Sequence, residues 1–282
     1  MPDSASVRGR NRKAGGSARL IVLMLGEKRR PLSMLIFIAA LYSFIDASDV
    51  VRMFPEIGYF PFTMESLASV LLYSAAGLLG AERFWRPDGR AEWISLPAEP
   101  DLKYLSLALA WGLIIPLALA VTMTLCSSVT VVALRAARHW YIDPSLIVRS
   151  LAGSIAGFPA AIVSLCSGIV FRRLWPLKLA GLLLAISMGG NLVINLYVRS
   201  VFDPSVAIGV PWGLFLDPTI LLYRSLEGPV GFPDPELAAL DGLMLKLENL
   251  SLAVSWALLP AAALILGRTG HRRMEAAGAL PE

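Results

Sequence analysis

Six apolar stretches separated by polar, charged segments organise this chain, at 31–51, 66–81, 104–134, 146–171, 175–198 and 245–266. A helix crossing a hydrocarbon core of about 30 Å needs about 20 mainly apolar residues, so each stretch predicts a spanning helix. The third is long enough to be tilted or broken. The first must place Asp46 near the headgroups. A seventh stretch, 206–223, contains Pro211, Gly213, Asp217 and Pro218 and reads as re-entrant or interfacial. The expected fold is therefore an all-α integral membrane protein of six transmembrane helices, with a re-entrant or interfacial helix in the outer loop 199–244 before the last span.

Composition agrees: 56% of residues are hydrophobic, 16% are charged, and the mean hydropathy is +0.65. Charge sets the orientation. With both termini inside, the segments 1–30, 82–103, 172–178 and 268–282 carry eighteen of the 25 Lys and Arg residues. A seventh span would put Arg268, Arg272 and Arg273 outside. The short loop bearing Arg135, Arg138 and Arg149 is the exception to the bias. The chain then divides into a basic arm with an interfacial helix (1–30), a membrane domain (31–267) with an inner loop at 82–103, and a tail (268–282). The arm is expected to be disordered before a short helix, and to act as a topology signal with affinity for anionic lipid. Net charge is only +4 and no recognition fold follows the arm, so nucleic acid is not an expected partner.

Several chemistries lack their residues. The two histidines, His139 and His271, both fall outside the predicted spans, so the chain alone cannot ligate a membrane haem through two of them. The sequence contains no H-E-x-x-H, no G-x-S-x-G and no G-x-x-x-x-G-K-[ST]. Neither an intramembrane enzyme nor a self-powered transporter is expected, and no cofactor or metal is implied. Cys126 and Cys166 fall within spans and read as reduced packing residues.

Polar residues inside spans are costly in lipid and face other helices or a cavity. Ser187, Asn191, Asn195 and Arg199 recur every four residues on the fifth span. Glu248, Ser251 and Ser255 share a face of the sixth, beside Lys246 and Asn249. Each stripe can serve interhelical hydrogen bonding or line a path. On the fourth span, Gly153 and Gly157 form a small-xxx-small pair expected to pack against a helix, within the chain or across a dimer. Pro116, Pro159 and Pro260 fall within spans and are expected to kink them.

The inner segment 82–97, ERFWRPDGRAEWISLP, mixes charges with Phe84, Trp85, Trp93 and Ile94. The Pro87-Asp88-Gly89 turn breaks the chain, and 90–96 is then expected to form an amphipathic helix that anchors at the interface or docks in a partner's groove. In its layout, and in the sequence Glu82…Gly89…Glu92…Leu96-Pro97 before the third span, the chain resembles the permease subunits of ABC-2 type transporters. Gly89-Arg90 stands where that pattern has Gly-Thr, and Pro87-Asp88 interrupts its charged run. The resemblance implies a membrane subunit of an ATP-driven exporter in the cell inner membrane, dimeric with a second permease copy and served by a separate cytosolic ATPase. It also implies that Glu82, Arg83, Gly89 and Glu92 are the coupling residues; the polar stripes with Asn191, Asn195, Glu248, Ser251 and Ser255 are then the candidate translocation path. The other reading is an accessory or assembly subunit of a larger membrane complex.

Overall fold

A computed structural model describes residues 4–53, 63–139, 151, 154–155, 157–171, 175–202 and 235–278, which are helical throughout apart from short connections. The 206–223 stretch and Gly153 lie outside the described residues. In chain order the helices are α1 (Ser4–Glu27), α2 (Arg29–Met53), α3 (Thr63–Ala81), α4 (Pro87–Ser95), α5 (Pro100–Ala137), α6 (Phe158–Phe171), α7 (Trp175–Val201) and α8. The last runs through Pro235–Ala253, Val254–Leu258 and Leu259–Gly278. Among the described residues, four helical segments are long and apolar enough to cross a membrane: Arg29–Asp49, Pro100–Ala137, Gly181–Val201 and Ala238–Gly278. The protein is a multi-pass membrane protein of the all-α class.

The arm is helical from Ser4 rather than disordered. Leu20, Ile21, Met24 and Leu25 recur one helical turn apart, and they pack into the core, with Met24 fully buried. Ser17 Oγ lies 2.9 Å from Ser106 Oγ on α5.

The centre is set by glycine. A Cβ on Gly77 of α3 would collide with the backbone oxygen of Ala161 and approach Leu165 N to 2.8 Å. At the other end of the same seam, a Cβ on Gly157 would stand 2.6 Å from Ser69 C and 2.7 Å from Ser69 O. The anticipated packing role of Gly157 is met inside the chain. Gly80 clears space for the indole of Trp111, which is 1% exposed on α5. Tyr73 Oη donates to Ser154 O at 2.6 Å across the same seam.

Pro116 and Pro260 do not interrupt their helices. Each is preceded by a π-helical turn, Ala110–Ile114 and Val254–Leu258. Proline lacks the N–H that would bond the carbonyl four residues back, and its ring crowds that carbonyl; widening the preceding turn relieves the clash while the helix continues. Pro159 instead occupies the second position of α6, as described, where its missing N–H costs nothing.

Candidate functional site

At one end of the bundle, three stretches distant in sequence converge: the α1/α2 junction, the segment 82–97 with the adjoining start of α5, and the end of α8. Three basic segments that the charge pattern puts on one side are therefore in physical contact.

The segment 82–97 is built from its sequence upward. Glu82–Phe84 forms a 3-10 turn, and α4 begins at Pro87, so Pro-Asp-Gly makes the first helical turn instead of breaking the chain. Proline suits the first turn, and Asp88 complements the positive end of the helix dipole. Gly89 is required there because a Cβ would lie 2.8 Å from Arg83 O.

Two aromatic residues of this segment turn into the protein itself. Phe84 and Trp93 are buried, and their rings meet edge to face at 5.8 Å. Trp93 Nε1 donates to His271 Nε2 at 2.8 Å, with His271 fully buried on α8. An indole N–H only donates, so Nε2 must carry a lone pair. The imidazole is therefore neutral, with its proton on Nδ1. Burial, and secondarily the Lys103 ammonium, push its pKa down to about 4. His271 lies beyond the apolar part of α8, in the charged last turns from Arg268 onward.

Lys103 closes the structure. Its side chain is 1% exposed, and its ammonium donates to Trp93 O at 3.1 Å, to Ile94 O at 2.9 Å and to Glu275 Oε1 at 3.1 Å. The two carbonyls belong to the last turn of α4, where the only backbone donor to either, among the described residues, is the Leu96 N–H, which reaches Trp93 O at a long 3.4 Å; a cation there supplies the remaining donors and complements the negative helix end. The carboxylate supplies the compensating charge that a buried ammonium needs. Loop, third predicted span and final helix are thus joined through one nitrogen.

The outer layer is ionic. Lys28 Nζ bonds Glu82 Oε2 at 2.6 Å, which holds the Glu82 carboxyl below its ordinary range despite some desolvation. Arg83 bonds Glu27 Oε2 at 2.6 Å, and its guanidinium stacks 4.9 Å from the Trp93 ring centroid. Asp101 receives Arg268 and Arg272, each through Nε and Nη2, and these bonds hold its carboxyl well below the carboxylate range. Tyr104 Oη donates to Leu264 O at 2.7 Å, and Gly267 lets it pass, since a Cβ there would stand 2.7 Å from that oxygen.

Of the four residues anticipated for coupling, Glu82, Arg83 and Gly89 build the platform, and Glu92 lies exposed on α4. With Asp88, Ala91 and Ser95 it forms an exposed face at i, i+3, i+4 and i+7. The path candidates lie elsewhere. Asn191 and Asn195 are half-buried on α7, where Asn195 Nδ2 donates to Asn191 O at 2.8 Å. On α8, Ser251 and Ser255 are fully buried and Glu248 is half-buried, so the anticipated face does turn inward. Ser255 falls in the π turn before Pro260.

Sequence reasoning did not single out Lys103, His271 or Glu275. The i, i+4 pairs His271/Glu275 and Arg268/Arg272 were visible as spacing, but a tail reading of 268–282 gave them nothing to face. Among the described residues no cluster of His, Cys, Asp and Glu could hold a metal ion. No protein-family model, no curated protein and no solved structure matches the chain. What fold and site define is a class: a helical multi-pass membrane protein with a folded, charge-lined platform at one end.

Proposed function

We propose that the chain is the membrane-spanning permease subunit of an ATP-driven ABC-type exporter. In this reading it has six spans with both termini cytoplasmic, sits in the inner membrane, and works as a dimer coupled to a separate cytosolic ATPase through the loop 82–97. The observation that carries the reading is that this loop is folded and clamped. A motor can move a span only through an element stiff enough to transmit force. Here α4 is tied to α5 and α8 through Lys103, and to the α1/α2 junction through Glu82 and Arg83. Its exposed face, with Asp88 and Glu92, is left to meet a partner.

Tilting the platform would carry the start of α5 and the end of α8 with it and switch which side of a dimer interface is open. The stripes with Asn191, Asn195, Glu248, Ser251 and Ser255 would then lie along the path. The test is mass spectrometry of proteins copurifying with the tagged chain in mild detergent, wild type against Asp88→Arg/Glu92→Arg. These positions are exposed, so the fold should survive the change. An ATPase with a phosphate-binding loop, present with wild type and depleted with the variant, is the expected result. A stable set of membrane subunits without an ATPase would replace this reading with that of an accessory or assembly subunit.

A further inference from the structure

Beside the platform, a groove of about 590 Å³ opens between α5 and the last part of α8. Its walls are Leu105, Leu109 and Leu113 of α5 and Ile265 of α8, with Ile162 of α6 as floor. Phe158, at the start of α6, also lines it, and Asp101 and Arg268 are its charged lining residues.

Three observations say what fits. The first is length. From Asp101 to Leu113 the groove follows α5 for about 18 Å at roughly 1.5 Å per residue. That is close to one leaflet, since half of a hydrocarbon core of about 30 Å is ~15 Å. The second is polarity: the lining is apolar apart from Tyr104 and the charged pair Asp101 and Arg268, which sits at the first turn of α5. The third is charge. Arg268, which lines the groove, shares one carboxylate, Asp101, with Arg272, which lines the adjoining cavity together with Glu99 and Glu275; the triad itself carries one net positive charge. Each guanidinium uses Nε and Nη2 on Asp101, and Nη1 remains for a further acceptor; both side chains are more than half exposed. A planar fork already fixed by a carboxylate is preorganised for a phosphate oxygen.

We propose that this groove binds one phospholipid of the platform-side leaflet, with an acyl chain between α5 and α8 and its phosphate on Arg268 and Arg272. The inference rests on the membrane character of the chain and not on the exporter reading. A lipid seated there would touch the two helices that hold the platform.

Native mass spectrometry of the delipidated protein, titrated with dioleoyl-phosphatidylglycerol or with dioleoylglycerol, tests it. One phosphatidylglycerol per chain should survive gentle activation, and dioleoylglycerol should bind at least tenfold more weakly. Arg268→Gln/Arg272→Gln should lose that preference. Ala108→Trp, which fills the groove without touching the ionic triad, should abolish binding of both. Equal binding of the two lipids, or undiminished binding in Ala108→Trp, would overturn the proposal. So would a Leu105→Cys variant that forms a disulfide between two copies in lipid, because the groove would then belong to a second chain.

Discussion

Two halves of this molecule are finished to different degrees. In α5, half of the most apolar window is buried by the chain's own helices; in α7, only 6% is. Helix α8 divides in the middle, its last turns locked into the platform and its first turns open, with Leu245 and Leu250 exposed. The closed half uses glycine seams, a buried lysine and a buried histidine, all of which fix one arrangement. Among the described residues, the open half carries Leu192, Leu196, Leu245 and Leu250 outward and Ser251 and Ser255 inward. The contrast sets an end tied together by long-range hydrogen bonds and ion pairs against helices whose apolar side chains, among the described residues, stay exposed.

The strongest way to break the contrast is at Lys103. Lys103→Met leaves the Glu275 carboxylate, 10% exposed, without its ammonium, and we expect a loss of about 3–5 kcal/mol in thermal unfolding of the purified protein. Adding Glu275→Leu should recover part of it, because an apolar pair costs less than one uncompensated charge.

Next come the glycines. Gly77→Leu and Gly157→Leu push side chains into backbone that cannot yield, and each should cost roughly 3 kcal/mol or more. Gly181→Ala and Gly189→Ala on α7 meet no atom within 4 Å and should not destabilise, gaining up to about 1 kcal/mol from helix propensity in the same melting assay. Equal effects on the two helices would erase the distinction between the halves.

The smallest effect is on pH. With its native pKa lowered to about 4, His271 contributes stability that is present above its ordinary value of 6.5 and lost as pH falls toward 4. The loss should be on the order of 2 kcal/mol. Protonating Nε2 also removes the acceptor for Trp93 Nε1, so the drop should be accompanied by a change in tryptophan fluorescence, and His271→Gln should flatten the profile.

Much of the helical architecture was legible because bilayer thickness imposes a length on apolar runs. The helices of the first, second, third, fifth and sixth stretches form, and Gly157 packs as its spacing suggested. The platform was less legible. Trp93 stood out as an aromatic residue in a charged loop, but its partner lies 178 positions away on α8. No local periodicity reports such a contact. Lys103 counted as one more basic residue of an inner loop, and only the fold reveals that it caps α4. The π turns were equally hidden, since Pro116 and Pro260 announce a disturbed helix without saying that the chain would absorb it.

The central claim is that 82–97 is a clamped, rigid element rather than a pliable loop. Amide hydrogen exchange of the protein in lipid nanodiscs tests it most directly. We expect the α4 amides to be protected on the same timescale as those of α3, and to lose that protection in Lys103→Met while α3 keeps its own. Exchange of α4 within seconds in the wild-type protein would contradict the account.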